Sequence, residues 1–68
     1  MFWAQLGYAD ALAAKENFSD ALIAYQLAYQ ENSASLEAYE GAARMLINLG
    51  NPQEAQKILE KIPKNDGL

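Results

Sequence analysis

Apolar residues recur along this chain at intervals of three and four rather than two, the period of a helix packed along one stripe. The first stripe is Phe2, Leu6, Ala9, Leu12 and Ala13, and it fades at Lys15-Glu16-Asn17. A second runs Phe18, Ala21, Leu22, Tyr25, Ala28, Tyr29 and stops in Glu31-Asn32-Ser33. The third is Leu36, Tyr39, Ala42, Ala43, Leu46, Ile47, ending at Leu49-Gly50-Asn51, where Gly50 suits the left-handed turn that closes a helix. The fourth, Ala55, Ile58, Leu59 and Ile62, is halted by Pro63, and Lys64 to Leu68 reads as a frayed tail. No segment alternates apolar and polar long enough to make a strand, so the pattern predicts an all-α chain.

The helix starts agree with these cuts. Asn51-Pro52-Gln53-Glu54 offers Asn as N-cap, Pro in the first turn and Glu three residues after the cap. Asn17-Phe18-Ser19-Asp20 repeats the device with Asp in the third place, and either Ser33 or Ser35 caps the third helix. Links of about three residues make each helix double back on its predecessor. Four antiparallel helices in two tandem helix-turn-helix hairpins are the expected fold.

The hairpins are copies of each other. A shift of 34 residues brings Ala4 onto Ala38, Gly7 onto Gly41, Ala9 onto Ala43, Leu12 onto Leu46, Asn17 onto Asn51 and Ala21 onto Ala55. Both caps and both inter-helix turns coincide in the same register. A helix–turn–helix period of 34 resembles the tetratricopeptide repeat. The resemblance covers the chain as one domain, residues 1–68, with repeats at 2–35 and 36–68. The second-helix pattern of that family, Ala, an aromatic four on, then Ala three further, stands intact as Ala21, Tyr25, Ala28. The second repeat keeps Ala55 and has Leu59 and Ile62 in the other places. The small residue of the first helix falls on Ala9 and Ala43, the large one after it on Leu12 and Leu46. Closely crossing helices need Ala where backbones meet and bulk beside it; Ala9, Ala21, Ala28, Ala43 and Ala55 are the expected crossings.

The chain departs from the family pattern in three places. Trp3-Ala4-Gln5-Leu6-Gly7 copies the family's W-x-x-L-G spacing two residues out of frame with Ala21-Tyr25-Ala28. Pro52 replaces the aromatic that Phe18 supplies, and Ser33 stands where a repeat-ending proline is usual. The internal repeat sets the frame, which moves Trp3 off the packing face and onto the side that lines the groove of an α-solenoid.

The resemblance implies that the first helix of each hairpin lines a concave groove that binds a segment of another protein. The groove set is then Trp3, Leu6, Asp10, Ala13 and Ala14 with Glu37, Glu40, Gly41, Arg44 and Asn48, each group spaced by threes and fours on one side of its helix. For the charges the alternative is a face that only solvates; for Trp3 it is packing on its own hairpin. Some family members grip a C-terminal carboxylate with Lys, Asn and Arg. Here Asp10 and Glu40 would repel it, which favours a basic or mixed-charge, partly apolar segment.

Composition narrows the field further. The 68 residues contain no cysteine and no histidine, which excludes a disulfide framework, a Cys/His zinc site and thiol or imidazole catalysis. Five Lys/Arg against nine Asp/Glu give a formal charge of −4, arguing against nucleic acid or an anionic membrane as partner. No apolar run is long enough to span a bilayer and no signal peptide is visible, so the default compartment is cytoplasmic. Asp10, Glu37 and Glu40 lack a neighbouring nucleophile or base in sequence, and Gly7, Gly41 and Gly50 are isolated, so no catalytic, phosphate-binding, cofactor or metal site is expected. Gly7 and Gly41 each cost a helix interior about 1 kcal/mol against Ala. Their shared place in the repeat points to close approach of a backbone or ligand, or to common ancestry. Tyr8, Tyr25, Tyr29 and Tyr39 read as core and groove-edge filling.

Two functions fit: a module that docks a segment of another protein, and a structural unit that associates with itself or belongs to a longer array. A domain this small buries only about 60% of its unfolded surface, and at least three repeats are generally needed for stability. Ile58, Leu59 and Ile62 are expected to be exposed where a third hairpin belongs. The chain should therefore be part of a larger protein or a homodimer that covers this face, with Phe2 and Trp3 from the other end contributing.

Overall fold

The computed structural model describes residues 2–63, with Phe2 defined by its backbone alone. The tail expected at Lys64 to Leu68 and the contacts expected of the Phe2 side chain lie outside the described residues. Four helices follow one another: α1 (Phe2–Ala14), α2 (Phe18–Glu31), α3 (Leu36–Asn48) and α4 (Pro52–Glu60). Among the described residues there is no strand, and the fold is the expected all-α pair of helical hairpins.

Both hairpins turn by the same backbone device. After α1, the N–H of Asn17 donates to the Leu12 carbonyl (2.9 Å) and that of Glu16 to Ala13 (3.0 Å). After α3, Asn51 donates to Leu46 (2.8 Å) and Gly50 to Ile47 (3.0 Å). These are the crossed bonds that close a helix through one left-handed residue. That residue is Gly50 in the second turn (φ 84°) and Glu16 in the first (φ 63°). Asn17 and Asn51 stand at the N-cap positions expected of them, but their side chains make no capping hydrogen bond. Their amides are committed to the previous helix, while their carbonyls accept the first bonds of the next, from Ala21 and Ala55. Ser35 is the cap of α3, its hydroxyl accepting from the Ala38 amide at 3.3 Å. Ser33 instead gives its carbonyl to the Tyr39 hydroxyl at 2.9 Å.

Each helix packs on its neighbours in sequence: α2 lies between α1 and α3, α3 lies between α2 and α4, and α1 grazes α3. The result is a slab with extents of 39 × 29 × 14 Å. Among the described residues eight of the fifteen in the core are alanines, and the five expected at close crossings are all among them. Small side chains let the backbones approach closely, so the bulk of the core comes from Tyr25, Tyr29, Tyr39 and a few aliphatics. Tyr29 and Tyr39 stack with centroids 4.5 Å apart and planes at 16°, fixing α2 against α3.

Three expectations about the stripes fail. Met45 is buried and Ile47 exposed, because α3 is packed on two sides and its buried arc is rotated from a single stripe. Leu36 is also exposed, at the first position of that helix. Tyr8, read as filling, is 60% exposed, since its face of α1 has no neighbouring helix.

Candidate functional site

The faces of α1 and α3 that do not meet α2 and α4 border a cleft of about 230 Å³. Leu6 and Asp10 reach it from α1, and Glu37, Glu40, Gly41 and Arg44 from α3. The helical period places them there: steps of three and four put each set on one side of its helix. Trp3 (74% exposed) and Asn48 are at the surface and do not line the cleft. Ala13 and Ala14 do not line it either.

The floor is Tyr25 of α2, one of the tyrosines read as core and groove-edge filling. Its hydroxyl donates to the Asp10 carboxylate, tying α2 to the groove side of α1. Its ring lies against Gly41, where a Cβ would fall 2.6 Å from Cδ1 and Cζ. The glycine of α3 is therefore the socket for this ring. The close approach suggested by the glycine repeat occurs at Gly41, whereas a Cβ on Gly7 would meet nothing within 4 Å. That interior glycine marks the place where α2 reaches the groove.

Electrostatically the cleft is acidic, with the carboxylates of Asp10, Glu37 and Glu40 against the single guanidinium of Arg44. Asp10, Glu37, Glu40 and Arg44 are all exposed, while Leu6 is buried and supplies an apolar base. The Tyr25 phenol is pushed up from 10.0 to about 12, chiefly by burial and then by its bond to Asp10, with Arg44 opposing. Among the described residues no group of three or more Asp or Glu could hold a metal ion. Such a cleft can pair with cationic groups through its rim and take an aliphatic group on Leu6.

The other candidate face is only partly as expected. Ile58 is 6% exposed and belongs to the chain's own core, and Ile62 is half-buried against it. Ala55 and Ile58 are the buried residues of α4, and Ile62, two residues past the helix, continues their spacing of three and four. Leu59, one residue off that spacing, points away and is 42% exposed. The expected triad of exposed aliphatics thus reduces to Leu59 with the edge of Ile62.

Stacked helical hairpins with a groove along their first helices define a helical-repeat scaffold. The tetratricopeptide repeat model matches residues 12–67, and the chain belongs to that family. These repeats are a non-catalytic scaffold family that generally mediates protein–protein interaction. Trp3, Leu6 and Asp10 precede the matched stretch. No curated protein and no solved structure matches the chain. No helix among the described residues is long and apolar enough to cross a membrane.

Proposed function

We propose that the chain is a non-catalytic interaction module, a single two-repeat domain that holds a basic or mixed-charge segment of another protein in the cleft between α1 and α3. The observation that carries this reading is the cleft's lining: three carboxylates and one guanidinium around the apolar base of Leu6. Opposite charge across an interface speeds encounter and selects partners, and like charge excludes the wrong ones. Trp3 and Asn48 lie on the same two helices beyond the cleft, and Trp3 is the residue type that most often anchors a partner. No cofactor, metal, nucleic acid or membrane takes part.

Two synthetic peptides on one leucine framework, one carrying lysine and the other glutamate, test the proposal by fluorescence anisotropy. The lysine peptide should bind, with affinity falling as salt rises, and the glutamate peptide should not. Replacing both Glu37 and Glu40 with Lys, at exposed positions, should invert the preference. Equal binding of the two peptides, or preference for glutamate, would overturn it.

A second reading, self-association of the chain, is favoured by one observation: Leu59 remains exposed on a helix that, among the described residues, packs on α3 alone. A branched aliphatic in that position gains from being covered.

A further inference from the structure

We infer that copies of this chain stack head to tail, Leu59 of one copy seating over Gly7 of the next; the inference rests on the self-association reading. It starts from the internal repeat, which shows how one hairpin receives another. On α3, Ala38, Gly41, Ala42 and Met45 are buried and share one side of the helix by their spacing, and the Tyr25 ring of α2 occupies the space over Gly41. The shift of 34 residues maps this receiving surface onto Ala4, Gly7, Tyr8 and Ala11 of α1. All four are exposed, and the space over Gly7 is open.

The same shift maps the inserted side onto α4. Leu59 takes the place of Tyr25. Leu59 is the exposed large apolar residue of α4, and among the described residues α4 packs on α3 alone. One end of the molecule therefore carries an empty socket and the other an uncovered knob, related by the operation that already joins its two hairpins. The substitutions between the halves also compensate. A smaller knob, Leu59 for Tyr25, leaves room that a larger socket wall, Tyr8 for Ala42, can fill.

The composition of α1 agrees. Its thirteen residues include one charge, Asp10, which lies in the cleft. A helix apolar on every side is normally covered on every side, yet the outer face of α1 shows Trp3 and Tyr8 to solvent. A knob on one end meeting a socket on the other is a heterologous contact, which adds subunits in series instead of closing a two-fold pair.

Sedimentation equilibrium on the intact chain tests this with two variants, Leu59→Glu and Gly7→Glu. Both positions are exposed, and a Cβ at Gly7 meets nothing within 4 Å; circular dichroism verifies that helix content is kept. Leu59→Gln replaces the first variant if it is not. The wild-type mass should rise past that of a dimer as concentration increases, and each variant alone should stay monomeric. Mixed, the variants should form a one-to-one dimer and nothing larger, because each retains the end the other lacks. A wild type that stops at a dimer, with Gly7→Glu still dimeric, would overturn head-to-tail stacking and leave self-association standing. A wild type that remains monomeric would overturn both. Neither outcome touches the cleft, whose residues are unchanged.

Discussion

Gly7 and Gly41 occupy the same place in the two repeats, and replacing each by alanine should move stability in opposite directions. Alanine in a helix interior is favoured over glycine by about 1 kcal/mol, and at Gly7 nothing lies within 4 Å to offset that gain. Gly7→Ala should therefore stabilise by about 1 kcal/mol. At Gly41 the new methyl would fall 2.6 Å from two atoms of the Tyr25 ring. That ring is buried, and its hydroxyl is held by Asp10, so it cannot yield without leaving its site. Overpacking of this kind costs about 1–3 kcal/mol, and loss of the Tyr25–Asp10 bond adds about 0.5–1.5 kcal/mol. Against the propensity gain, Gly41→Ala should destabilise by about 1–3 kcal/mol.

Thermal and urea melts followed by far-UV circular dichroism separate these cases. In a domain of this size 1 kcal/mol shifts the midpoint by about 4–8 °C. The melts belong at low protein concentration, where association through α1 does not contribute. A Gly41→Ala midpoint equal to or above that of Gly7→Ala would refute the reasoning, since it would mean that Tyr25 is not seated on Gly41.

The paired turns make a second comparison. Glu16 holds a left-handed φ of 63° where its counterpart Gly50 has 84°, so Glu16→Gly should raise stability by about 0.5–1 kcal/mol. Gly50→Ala should lower it by about 1 kcal/mol in the same melts. The third prediction concerns alkaline pH. Tyr25 ionises at about 12 when folded and near 10.0 when unfolded, so its contribution is complete below pH 10 and is lost as pH rises towards 12. The stability difference between the wild type and Tyr25→Phe, measured by urea titration at each pH, should shrink or reverse across that window; a constant difference would show that the phenol is not shifted.

The fold was legible because three independent signals coincide in the sequence. The stripes locate the helices, Gly50 and Pro63 end two of them, and the alanine crossings recur at the repeat interval. What failed was local. The asparagines hold the N-cap positions that their residue type favours, but without the side-chain bond; their backbone N–H groups close the preceding helix and their carbonyls open the next. A residue shared between the end of one helix and the start of the next serves both through its backbone. The pattern of types does not show which side wins. Met45 and Ile47 exchanged roles because a stripe assumes one packing partner and α3 has two.

The site was legible in its rim and not in its floor. Leu6, Asp10, Glu37, Glu40, Gly41 and Arg44 follow from helical spacing once the groove face is chosen, and the structure sets all six around one cleft. Tyr25 reads as core and groove-edge filling, but its tie to Asp10 does not show, because one side chain does two things: its ring fills the core while its hydroxyl surfaces beside Asp10. Burial pattern captures the first and says nothing of the second. The aliphatics of α4 show the reverse limit, since composition marks all three as apolar while only the angle about the helix decides that Ile58 turns in and Leu59 turns out. Both cases depend on orientation between helices, which is fixed by packing of the whole slab and not by any one segment. The repeat partly restores that information, because a contact seen once between α2 and α3 states what the equivalent surfaces of α1 and α4 are shaped to receive.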